Sequence, residues 1–90
     1  MALGITLEYN PSAFRHGCTE DDINKAFETF CYDGDIVPEE GVEDKYLLIG
    51  LDINANLIEV MYNVIDENTV NVFHAMKCRK IYIPLVGKGG

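Results

Sequence analysis

Between Lys45 and Met76 the chain carries three runs rich in β-branched and aromatic residues, parted by breaks of only a few residues. Breaks that short leave no room for a crossover, so neighbouring runs must pair antiparallel. Lys45–Leu51 is apolar on both faces, which suits a central strand. Asp52-Ile53-Asn54-Ala55-Asn56 reads as a turn, and Leu57–Ile65 then alternates, with Ile58, Val60, Tyr62 and Val64 on one face. Asp66-Glu67-Asn68 reads as a tight hairpin loop. Thr69–Met76 continues with Val70, Val72, His74 and Met76 on one face. Ile81-Tyr82-Ile83 is a candidate last strand, which Pro84 confines to an edge.

The segment before these strands supplies a helix. Thr19 is a good N-cap and Asp22 stands three residues on, as in a capping box with Asp in place of Glu. Glu20, Asp21 and Asp22 put negative charge on the positive end of the helix dipole. Ile23, Ala26, Phe27 and Phe30 follow at i, i+3, i+4, i+7, one apolar helix face. Upstream, Ile5, Leu7 and Tyr9 alternate as a short strand, and Asn10-Pro11-Ser12 starts a turn or short helix that Gly17 can close. The expected fold class is α+β: an N-terminal helix (about 19–30) packed on a mostly antiparallel β-sheet of three to five strands. Ninety residues make one domain with a thin core, assigned to 1–86, with 87–90 a flexible Gly-rich tail.

Charge and cysteine usage narrow the function classes. Residues 33–44 hold six carboxylates, Asp33, Asp35, Glu39, Glu40, Glu43 and Asp44, among Gly and Pro, and read as a solvated surface loop with a short strand at 35–37. The spacing is not that of a calcium loop. Net charge is -8, whereas nucleic-acid binders display a basic face, so any such face here must be local. Cys18, Cys31 and Cys78 are odd in number with no CxxC pair, as in a reducing compartment. No apolar run approaches the roughly 20 residues of a membrane span, and the N-terminus lacks the features of a signal peptide. These features predict a cytoplasmic protein with no membrane partner. No metal, nucleotide or hydrolase motif is present, so no metal ligand and no cofactor is expected.

The local basic face has one candidate. Six of the chain's nine Lys, Arg and His residues fall in two short stretches, Arg15-His16 and His74 to Lys80, the latter with Lys77 and Arg79. If the stretches meet, they form a cationic patch suited to metal-free RNA cleavage. There the 2′-hydroxyl must lose a proton, the phosphorane needs positive charge and the leaving oxygen needs a proton. His16, His74 and Arg79 are the catalytic candidates, and Arg15, Lys77 and Lys80 the RNA-binding ones. The competing interpretation makes His74 a half-buried strand residue and the cations solubilising.

Four stretches carry a family resemblance. Ser12-Ala13-Phe14-Arg15-His16-Gly17-Cys18-Thr19-Glu20-Asp21-Asp22-Ile23 resembles the S-A-x-K/R-H-G-V-S/T-E-E-D-I opening of small bacterial toxins. Lys45-Tyr46-Leu47-Leu48-Ile49-Gly50 resembles their R-x-L-V-I-G strand, and Leu57-Ile58-Glu59-Val60 their L-L-E-V. Val72-Phe73-His74-Ala75-Met76-Lys77-Cys78-Arg79-Lys80 is similar to their I-I-H-A-M-P-A-R-x-K. The set resembles the BrnT-like branch of the RelE-type toxin superfamily and spans about 10 to 83. The resemblance implies the toxin half of a type II toxin–antitoxin pair, in a bacterial or phage setting. It implies a metal-independent endoribonuclease that arrests translation, with a cognate antitoxin protein over its active face and Arg15, His16, His74, Arg79 and Lys80 as the matched polar residues. The family pattern continues in an Arg-rich helix, which Pro84 opposes here. The alternative is a non-enzymatic acidic module, a degenerate toxin or nucleic-acid mimic, whose 33–44 loop binds a basic protein. A homodimer through an edge strand is compatible with both.

Overall fold

Thr19 caps the main helix as its sequence requires. Its hydroxyl accepts from the Asp22 N–H, and the Asp22 carboxylate accepts from the Thr19 N–H, so two orphan donors are satisfied reciprocally. The computed structural model describes residues 4–36 and 45–86. Its elements are β1 (Thr6–Tyr9), a 3-10 turn (Pro11–Phe14), α1 (Glu20–Thr29), β2 (Tyr32–Asp35), β3 (Lys45–Leu51), β4 (Leu57–Asp66), β5 (Thr69–Lys77), a second 3-10 turn (Lys80–Tyr82) and the one-turn helix α2 (Ile83–Val86). The strands form one sheet in the order β1-β5-β4-β3-β2. All neighbours are antiparallel except β1, which runs parallel to β5. The fold is α+β with a five-stranded, mostly antiparallel sheet. The helix is not N-terminal: α1 follows β1, which reaches the far side of the sheet to pair with the last strand.

α1 lies across one face of this sheet. Ile23, Ala26 and Phe27 are buried against Leu48, Ile58, Val60, Tyr62, Val70, Val72 and Ala75. Phe30, expected on that face, is the C-terminal cap and is 51% exposed, because the helix ends one residue before it. Val64, expected on the same face as Ile58, Val60 and Tyr62, is exposed, as is the whole hairpin end of β4 from there to Asp66. The closest approach is at Gly50, where a Cβ would fall 2.3 Å from the Ala26 carbonyl oxygen. Gly50→Ala must therefore lift α1 off β3. The expected cost is about 2–3 kcal/mol, in the range for overpacking a dense core, read as a shift in urea midpoint at constant slope. A loss below about 0.5 kcal/mol would show that the helix is not seated as described.

Three local expectations change. First, β5 does not keep a single alternation. Tyr62 pairs with Val72 but Met61 with His74, so Phe73 is an extra, bulged residue. The helix-facing series becomes Val70, Val72, Ala75, and His74 with Met76 turns to the opposite face. The bulged strand is held from outside: β1 ends with the Asn10 N–H donating to the Val72 carbonyl (2.8 Å), and the Ser12 hydroxyl donates to the Phe73 carbonyl. Second, the strand expected at 35–37 is β2, Tyr32–Asp35, paired with Ile49–Tyr46, so the front of the acidic loop is an edge strand. Residues 37–44, with Glu39, Glu40, Glu43 and Asp44, and the 87–90 tail lie outside the described residues. Third, Ile81-Tyr82-Ile83 is not a strand. The chain turns helical at Lys80, and Pro84 sits at the second position of α2, where a first-turn residue has no intrahelical N–H bond to lose. Among the described residues no helix is long and apolar enough to cross a membrane.

Candidate functional site

The sheet face away from α1 carries a fully buried charge. Glu59, in the middle of β4, has no exposed surface. A lone carboxylate there would be untenable without partners. They come from the chain that leaves β5: the Cys78 N–H extends the pairing to the Leu57 carbonyl (3.1 Å), and the next residue folds back over β4. Arg79 donates to Glu59 Oε1 from its backbone N–H (2.9 Å) and from Nε (3.0 Å), and to Oε2 from Nη2 (2.7 Å). His74 Nε2 lies 2.9 Å from the same Oε2. The carboxylate is thus clamped by a two-nitrogen guanidinium fork, a main-chain donor and an imidazole.

Burial pushes the Glu59 carboxyl up, but the Arg79 and His74 hydrogen bonds outweigh it and hold it below the usual carboxylate value. Asp22 is likewise held low: burial opposes this, and donors from Thr19 and Ile53 prevail. The stability these ionised groups contribute is fully present above the unfolded carboxylate values. It is lost as pH falls through their lowered folded values. Unfolding free energy should therefore drop steeply below about pH 4, near the ordinary range for Asp and Glu. Glu59→Gln should flatten that drop in urea titrations; an unchanged slope would mean that Glu59 is not ionised in the folded state.

The bulge at Phe73 is what aims His74 at Glu59. The other imidazole arrives from the opposite end of the chain. After β1 the 3-10 turn packs along β5, Gly17 adopts φ +91°, and His16 stands beside the β5 edge. Its ring meets that of His74 edge-on, with centroids 5.6 Å apart. His74 and Arg79 therefore share one carboxylate, and His16 joins them only through its ring contact with His74. With Nε2 bonded to Glu59, the proton of a neutral His74 ring sits on that nitrogen and Nδ1 is left as the acceptor. Arg79 keeps Nη1 off the carboxylate, its side chain is 44% exposed, and its guanidinium lies 5.5 Å from the Tyr82 ring centroid.

The remaining candidates are spread around this group. Arg15 is exposed next to His16, Lys77 ends β5 and shares a cavity lining with His16, and Lys80 opens the second 3-10 turn. None of the three forms an ion pair among the described residues. Two residues escaped the sequence reading. Glu59 figured only within the Leu57-Ile58-Glu59-Val60 resemblance and was given no role. Lys45, whose ammonium lies 5.3 Å from the Phe73 ring centroid, adds a cation beside the bulge and left no local signal. The three cysteines are free, and burial, with Glu59 and Cys31 nearby, pushes the Cys78 thiol up and away from the reactive thiolate. Among the described residues no group of three His, Cys, Asp or Glu side chains is placed to hold a metal ion. No protein-family model matches the chain, and no curated protein matches it.

Proposed function

We propose that this chain is a metal-independent endoribonuclease of the BrnT-like kind, the cytoplasmic toxin of a type II toxin–antitoxin pair. The observation that carries the reading is the pairing of two imidazoles, 5.6 Å apart, with one of them fixed on a buried carboxylate. His74 Nδ1 takes the proton of the RNA 2′-hydroxyl, and its orientation is held by Glu59. The 2′-oxygen attacks the adjacent phosphorus, and the bond to the 5′-oxygen breaks. Protonated His16 gives its proton to that leaving oxygen. The free face of Arg79, with Arg15, offsets charge on the phosphorane. The products are a 2′,3′-cyclic phosphate and a 5′-hydroxyl. The acidity of the remaining surface suits a toxin whose basic patch is small enough for an antitoxin to cover whole.

Net charge of -8 favours a second reading, a non-enzymatic acidic module that binds a basic protein and has lost cleavage. One experiment separates the two. Purified protein incubated with a mixed-sequence RNA in excess chelator should release cyclic-phosphate ends, and its expression should arrest growth unless a cognate antitoxin is co-expressed. Intact RNA and unimpeded growth would leave the acidic-module reading standing.

A further inference from the structure

A cavity of about 310 Å³ opens beside His16, between the N-terminus of α1 and the β3–β4 turn. Its wall is tied together: Asp22, already bonded to Thr19, accepts from the Ile53 N–H with Oδ1 (3.2 Å), stapling helix to turn. The turn is organised by Asp52, whose Oδ1 accepts from the N–H groups of Asn54 (2.8 Å) and Asn56 (2.9 Å). Asp52 Oδ2 has no partner among the described residues, and neither does the Asn56 amide or the Lys77 ammonium, all on side chains that line the cavity. Leu57 and Ile58 supply an apolar floor.

We propose that this cavity seats a guanine base of single-stranded RNA, which makes it the specificity pocket of the site proposed above; the inference rests on that ribonuclease reading for its biological setting. Apolar lining from Leu57 and Ile58 beside an imidazole suits an unstacked base. The polar inventory then selects among bases. Guanine alone presents two adjacent donors, N1–H and N2–H₂, for the free Asp52 oxygen, and two adjacent acceptors, O6 and N7, for Lys77. Adenine and cytosine offer one donor group next to a ring acceptor that the carboxylate repels, and uracil offers a single N–H. Because His16 lines this cavity and also meets His74, it is the residue that links a base seated here to the imidazole pair.

The full chain titrated calorimetrically with the four nucleoside 3′-monophosphates should bind guanosine 3′-monophosphate at least tenfold tighter than the other three. Asp52→Asn keeps Oδ1 for the turn and replaces the free oxygen by a donor. It should weaken guanosine 3′-monophosphate at least tenfold, leave the other three unchanged and leave the thermal midpoint in place. Lys77→Gln, at an exposed strand end, should weaken the same nucleotide several-fold. Equal binding of all four, binding of none, or guanine preference that survives both substitutions overturns the pocket. Selective binding of guanosine 3′-monophosphate by a protein that cuts no RNA supports the pocket and overturns the ribonuclease reading. RNA cut without regard to guanine does the reverse.

Discussion

Arg79→Ala should destabilise the domain by about 3 kcal/mol, and the loss should shrink as pH is lowered. Removing one partner of a buried ion pair costs roughly 3–5 kcal/mol, because the other charge is left in a poor solvent. The lower end applies here. Glu59 is fully buried, but the guanidinium is 44% exposed, so water can approach the side that it vacates. The Arg79 N–H and His74 also stay on the carboxylate. For 90 residues total stability is on the order of 5–13 kcal/mol, so roughly a fifth to three fifths of it rides on one side chain. The pH signature separates charge from packing. In the variant the fork no longer holds the carboxyl down, burial dominates and its value rises. Acid then neutralises Glu59 at little cost, and the gap to wild type narrows from the wild-type side too. Glu59→Gln in the Arg79→Ala background should recover most of the loss. Arg79→Lys should cost less than Arg79→Ala, yet it should not restore wild type, since an ammonium cannot make the two-nitrogen contact. Equal losses for Arg79→Ala with and without Glu59→Gln, at every pH, would mean that the side chain acts only by packing over Tyr82.

The elements legible in the sequence are those whose determinants are local. Thr19 and Asp22 sit one turn apart and bond each other, so α1 could be read from four residues and its apolar spacing. The Asp52 and Asp66 turns likewise bond their own neighbours. What escaped depends on distant chain. The Phe73 bulge is answered by Ser12, sixty-one residues away, and nothing in Thr69–Lys77 alone marks which residue is extra. A one-residue insertion reverses every side chain beyond it, which is why His74 was expected on the same face as Val70 and Val72 and is found on the opposite one. Pro84 misled for a different reason: its penalty applies to a helix interior, and α2 is too short to have one. The candidate site was half legible. Its cationic residue types stood out against an acidic chain, but the Glu59 that organises them read only as part of a strand.

His16→Ala and His74→Ala should each slow RNA cleavage by about 10²- to 10⁴-fold, the range for removal of a positioned proton-transfer group. They should do so with different collateral effects. His16 is exposed and has no hydrogen-bond partner among the described residues, so His16→Ala should leave stability within about 0.5 kcal/mol of wild type. His74 is half-buried on Glu59, so His74→Ala should also destabilise, and comparison must be made at a temperature where both variants are folded. Glu59→Gln is the informative third variant. It leaves both imidazoles in place but replaces the carboxylate that fixes the His74 tautomer, so it should lower kcat with little change in KM. If the two histidines act as acid and base in one transition state, the double variant should be scarcely slower than either single one. Each single variant should also lose one limb of a bell-shaped pH–rate profile, His74→Ala the limb that rises with pH and His16→Ala the limb that falls. Rate losses that simply multiply, or a profile unchanged in shape, would mean that the imidazoles serve separate purposes and that the 5.6 Å ring contact is only packing. A substrate with a leaving group that needs no proton should rescue His16→Ala and leave His74→Ala impaired, which assigns the acid independently of any pH titration.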